Sequence, residues 1–198
     1  RLPNDRFPLE PGETPKKMLE KLMPVIFDPS VMPKRVNQDG TQDVVLTSAG
    51  NLYGPGVTQA EVEAFYNSMK DPNDPTPVSY GLNSKVVKDA DGNLREERYH
   101  LTGLYGPAIA QIIYYLDKAK EYAENDVQKA YITKLIDYYV TGDLKLFDEY
   151  SILWAEDTKS DVDFVNGFIE SYGDPLGMTG SWESYLSLIH ISEPTRPY

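Results

Sequence analysis

Apolar residues recur at helical spacing in five stretches of the chain and at strand spacing in four, with prolines and glycines between them. Thr14 followed by Pro15 reads as an N-cap with proline at the first helical position, and it opens a short helix that Pro24 is expected to stop. Thr58 and Glu61 form a capping box that predicts a helix over 59–69, with Val62, Phe65, Tyr66 and Met69 facing inward. After Tyr105, the positions Ile109, Ile112, Ile113, Leu116, Ala119 and Ala123 share one helical face, and Asp117, Lys118, Lys120 and Glu121 occupy the other. A helix over 126–140 places Val127, Ala130, Tyr131, Leu135 and Tyr138 inward and ends at Gly142. A third member over 144–158 presents Leu144, Phe147, Tyr150, Leu153 and Trp154. The short links make these three helices near-antiparallel neighbours, and their apolar and aromatic stripes read as core rather than as a cofactor face.

Strand patterns fall at 43–47, 78–88, 94–101 and 164–172. Asp91-Gly92 between two extended runs predicts a hairpin. The alternation of Asp89, Asp91 and Asn93 also suggests a calcium loop, but the required glycine comes two places early and the twelfth position is His100 instead of glutamate. On the last strand, a period of two puts Phe164, Asn166, Phe168, Glu170 and Tyr172 on one face and Val165, Gly167, Ile169 and Ser171 on the other. Asp174-Pro175 and three glycines at 173, 177 and 180 then make a loop whose backbone turns sharply and can approach a ligand. A half-exposed strand with a polar edge is the bland alternative.

These elements make an α+β fold that is mostly helical, with a β-hairpin and the first strand of an incomplete β core. Residues 1–57 are expected to form an extended arm, a short helix and loops. Residues 58–160 form a helical lobe with the hairpin inserted at 78–101, and 161–185 form a candidate substrate strand with its glycine-rich loop.

Composition narrows the functions. The 198 residues carry 31 acidic and 19 basic side chains, a net charge of -12 that disfavours nucleic acid and anionic membrane as partners. No apolar run is long enough to span a membrane, and no signal peptide is visible, although the first residue is Arg1. Cysteine is absent, which excludes disulfides and thiolate chemistry and fits a reducing compartment such as the cytoplasm. His100 and His190 are the only histidines, so neither a Ser-His pairing nor a histidine-rich zinc site can be assembled from this chain alone. No phosphate loop or dinucleotide fingerprint is present. The remaining chemistry is Glu170, Tyr172 and the loop that runs to Glu183.

Residues 186–196 correspond without a mismatch to a reading frame of the transposon-end adaptor used in sequencing libraries. On that resemblance, 186–198 is expected to be a non-native tail, His190 not a biological histidine, and the natural gene cut near Tyr185.

The run Gly167-Phe168-Ile169-Glu170-Ser171-Tyr172, with Asp174, Pro175, Gly177, Gly180 and Glu183 after it, resembles a signature of the dipeptidyl peptidase III family of zinc exopeptidases. The helix segment from Tyr114 to Lys120 is similar to the family's bacterial branch. The resemblance implies a substrate-binding N-terminal part of an enzyme that releases dipeptides from oligopeptides. It implies that Glu170 holds the substrate's free amino terminus and that Tyr172 binds substrate and stabilises charge on the scissile carbonyl oxygen. Glu183 is implied to be a further acidic residue of the cleft. The zinc of the complete enzyme is implied to sit on a His-Glu-x-x-Gly-His helix that this chain lacks, which leaves the chain inert by itself. A non-catalytic helical peptide-binding or scaffold protein is the rival reading.

Overall fold

A computed structural model describes residues 7–188, and in them five helices and two antiparallel two-stranded ribbons follow one another. Helix α1 (Pro15–Phe27) starts where the Thr14 hydroxyl accepts the Lys17 amide. It does not stop at Pro24. Proline removes one amide donor, yet the helix continues because the Asp28 N–H still closes onto the Pro24 carbonyl at 2.9 Å, and the carbonyl left without a partner is on an exposed helix that water can reach. No residue of α1 is buried.

Residues 43–47 are a helical turn and not the expected strand. The Asp43 carboxylate accepts the amides of Val45 and Leu46, and the Thr47 N–H bonds the Asp43 carbonyl, so a local side-chain acceptor wins over strand propensity. Val44 and Val45 are buried all the same. Helix α2 (Gln59–Met69) has both halves of its capping box, and it buries Val62 and Tyr66.

The first ribbon pairs β1 (Ser84–Lys88) with β2 (Leu94–Arg98). It is shorter than the alternation implied, since 80–83 are turns. In the connection, the Asp89 carboxylate accepts the amides of Asp91 and Asn93 and Gly92 takes φ 84°, so the acidic residue is engaged with its own turn. Tyr53 forms a parallel bridge to Val86, and α2 packs on this ribbon through Val57, Val62, Tyr66 and Val86.

Helices α3 (Gly106–Lys120), α4 (Asp126–Thr141) and α5 (Leu144–Glu156) form the larger part, with α4 packed against both neighbours. Asn125 and Asp143 cap α4 and α5, and Gly142 ends α4 in the left-handed region at φ 73°. One inward assignment on α4 is corrected, since Val127 is 37 % exposed, and two further residues, Ile132 and Tyr139, are buried. Because α4 is covered by helices and also by the second ribbon, its apolar face is wider than a single stripe. Val127, in its first turn, lies outside that cover.

The second ribbon joins β3 (Val162–Glu170) to β4 (Ser181–Leu188). Phe164 contacts Tyr131, and Phe168 contacts Tyr99. The Tyr139 hydroxyl donates to Asn166 and accepts from the Trp182 indole. One ribbon face is therefore fixed to the helical core.

Candidate functional site

The free variable in a ribbon is which side chains share a face, and register decides it. Phe168 faces Trp182 across the ladder and Gly167 faces Glu183, but Glu170 faces Ser181. Two steps along β3 thus match one step along β4, so Ile169 is the extra residue of a β-bulge. Beyond a bulge the alternation is offset by one. The expected face of Phe164, Asn166, Phe168 and Glu170 is accordingly split. Asn166, bonded to Tyr139 of α4, and Phe168, against Tyr99, are buried in the helical core, and Glu170 moves to the opposite face, with Gly167 and Glu183.

That opposite face borders a cavity of about 600 Å³. From α5, Phe147, Tyr150 and Trp154 line it, and the Trp154 indole is held by donation to Asp163 at 2.7 Å. Val165, Ile169 and Glu170 line it from β3, Glu183 and Tyr185 from β4, and Tyr172 from the connecting loop. Glu170 is exposed and Glu183 half-exposed, and Tyr172 is 72 % exposed. Ser181 ties the two glutamates together, because its hydroxyl lies 2.9 Å from the Glu170 carbonyl and 3.3 Å from a Glu183 carboxylate oxygen. All three candidate residues, Glu170, Tyr172 and Glu183, therefore meet at one cavity. None of its lining residues is basic. Two carboxylates and an aromatic wall without a countercharge suit a ligand that carries a positive group beside an apolar one.

Residues 171–180 carry Tyr172 between the strands. The Asp174 amide bonds the Ser171 carbonyl at 2.9 Å and closes a turn around Tyr172, and Gly177 has φ 65°. The far end of the loop is tied to β1 by the Thr179 hydroxyl to the Ser84 carbonyl and to the turn just before β1 by Gly180 N–H to the Leu82 carbonyl. Asp174 itself is a buried acceptor that motif reading treated only as a turn former. Part of the signal was in the sequence, since an aspartate that opens a turn accepts the N–H two residues on, here that of Leu176.

His100 stands apart from the cavity, next to Thr102 and packed by Gly103 and Gly142, which suits a structural role. His190 lies outside the described residues. Among the described residues no group of three or more His, Cys, Asp or Glu could hold a metal ion, so the residues present do not supply a zinc site. No helix among them is long and apolar enough to cross a membrane.

With this geometry in place, comparison with known proteins gives consistent matches. The sequence model of peptidase family M49 matches residues 81–196. It thus extends into the stretch from 186 onward that resembles adaptor sequence. A mouse protein, dipeptidyl peptidase 3, is 27 % identical over 117 residues, which is 55 % of this chain and 16 % of that protein. A Dictyostelium discoideum protein of the same name is 26 % identical over 157 residues, 70 % of this chain and 22 % of its own length. The chain therefore spans less than a quarter of these relatives. Two solved structures share the fold, each with a TM-score of 0.55. Dipeptidyl-peptidase III from Corallococcus sp. strain EGB is 21 % identical and covers 70 % of this chain and 25 % of its own. DPP III from Caldithrix abyssi is 20 % identical and covers 78 % and 29 %.

Proposed function

The chain belongs to peptidase family M49, and from that premise we propose that it carries the substrate-holding part of a zinc-dependent dipeptidyl peptidase acting on oligopeptides. The observation that supports this reading is the bulge at Ile169, which brings Glu170 round to the cavity bordered by Tyr172 and Glu183. A peptidase that counts two residues must fix the free amino terminus, and the Glu170 carboxylate offers that ammonium a charged hydrogen bond. The Tyr172 phenol, at the loop end of the same cavity, can donate a hydrogen bond to a peptide carbonyl oxygen as charge develops on it. Glu183 adds a second negative charge, and the Phe147, Tyr150 and Trp154 wall takes apolar side chains. Each strand of the ribbon has an outer edge without a neighbour among the described residues, and an extended peptide can add main-chain hydrogen bonds there.

Zinc belongs to this proposal only as a group supplied elsewhere in the complete protein, where it would activate water. None of the steps assigned to Glu170, Tyr172 and Glu183 passes through it. The test is calorimetric binding of an unblocked tetrapeptide and its N-acetylated form to the purified chain. The unblocked peptide is expected to bind and the acetylated one to bind at least tenfold more weakly. Glu170→Gln is expected to remove about 1.5 to 3 kcal/mol of binding to the unblocked form alone. Equal binding of both peptides, or no effect of Glu170→Gln, would remove the amino-terminus role.

A further inference from the structure

We propose that Asp174 is a positioning residue of this site, and that it clamps the 171–180 loop, through the Tyr53 hydroxyl, to a segment that precedes the residues matched by the family model. The proposal rests on the reading of the cavity as a peptide site. Asp174 is 4 % exposed. One of its carboxylate oxygens accepts the Leu176 amide at 3.0 Å. The other accepts the Met178 amide at 2.9 Å, the Thr179 amide at 2.7 Å and the Tyr53 hydroxyl at 2.7 Å. Three loop amides and one distant phenol thus converge on a single buried side chain. Burying a carboxylate is costly unless its lone pairs are satisfied, and here the donors come from the loop whose shape is being set.

Tyr53 is itself fixed. It bridges Val86 in parallel, and the neighbouring Gly54 amide bonds the Val86 carbonyl at 2.7 Å. Burial and the negative charge of Asp174 both push the Tyr53 phenol well above its ordinary range, so it stays a donor. Because Tyr53 precedes residue 81, the loop of the matched region is held by a part of the chain outside that match. The same Asp174 closes, with its backbone, the turn that displays Tyr172. A loop with glycines at 173, 177 and 180 samples many conformations unless it is pinned, and pinning it in advance lowers the entropy lost when a peptide binds.

Two measurements on the whole chain test the clamp. Hydrogen exchange read by mass spectrometry is expected to speed up about tenfold or more in the 171–180 region of Asp174→Asn while α4 keeps its protection. Tyr53→Phe, which deletes one hydroxyl, is expected to do the same to a smaller degree and serves if Asp174→Asn does not fold. Unchanged exchange in the loop would overturn the clamp. In calorimetry, Asp174→Asn is expected to weaken binding of the unblocked tetrapeptide about tenfold in the wild-type background and less than about twofold when Tyr172→Phe is already present. Fully additive losses would show that Asp174 does not act through Tyr172. If the wild-type chain fails to separate the unblocked from the acetylated peptide, the peptide-site reading falls, and loop exchange still decides the clamp.

Discussion

Gly180 lies where β4 begins, against the bulged part of β3. A Cβ added there would stand 2.9 Å from the Phe168 carbonyl carbon and 3.0 Å from the Ile169 nitrogen, both backbone atoms that cannot swing aside. Gly180→Ala is therefore expected to destabilise by about 1 to 3 kcal/mol in urea unfolding, and it should displace the bulge that sets the face of Glu170. Gly40, with nothing within 4 Å, is the control, and its alanine variant should stay within about 0.5 kcal/mol of the parent. The same residues show what sequence could and could not say about the site. That Glu170, Tyr172 and Glu183 are the candidates was legible from one contiguous motif. The face that carries Glu170 was not, since a strict period of two places it beside Phe168, and the extra residue at Ile169 depends on how β4 pairs from eleven positions away. Asp174 went unrecognised for a similar reason: its fourth partner, Tyr53, is 121 residues distant in sequence.

At the scale of elements, local chemistry was a good guide wherever side chains act on their own backbone. The capping box of α2, the Asp91-Gly92 turn and the Gly142 stop are all present as expected. The failures at Pro24 and 43–47 share a cause, because each depended on whether water or a nearby side chain could satisfy the backbone. The α2 cap also offers a pH test. A bond from Lys88, then those from the Thr58 backbone and hydroxyl, hold the Glu61 carboxyl well below the usual carboxylate range, at about 2. The unfolded chain binds that proton nearer 4.3. A depressed folded value means that the stabilisation is present in full above about 4.3 and lost as pH falls toward 2. Glu61→Gln is thus expected to lower the thermal midpoint at pH 6, with the gap from the parent closing progressively between about pH 4.5 and 2. A gap that stays constant down to pH 2 would remove the Lys88 and cap contacts as its source.

At the scale of the molecule, two apolar clusters must act together for the site to exist. One is centred on α3, α4, α5 and β3, the other on α2 and β1. The cavity belongs to the first, yet the loop bearing Tyr172 is fastened to the second through Asp174, Thr179 and Gly180. A further bond crosses the same boundary, from the buried Asn83 side-chain amide to the Gly142 carbonyl. Polar bonds this well buried are strained or broken if either cluster opens alone, so the two should unfold as one unit. Trp154 and Trp182 both report on the first cluster, whereas far-ultraviolet dichroism reports on every helix, α2 included. Urea transitions followed by the two signals are expected to share one midpoint, apart from an earlier, shallow loss of dichroism by α1, which buries no side chain. Helix α1 stands outside this unit because it buries no side chain, and its amides should exchange fastest of the five helices. Separated transitions, with tryptophan fluorescence and dichroism giving different midpoints, would mean that the loop contacts do not couple the clusters. Tyr172 would then be held by the first cluster alone.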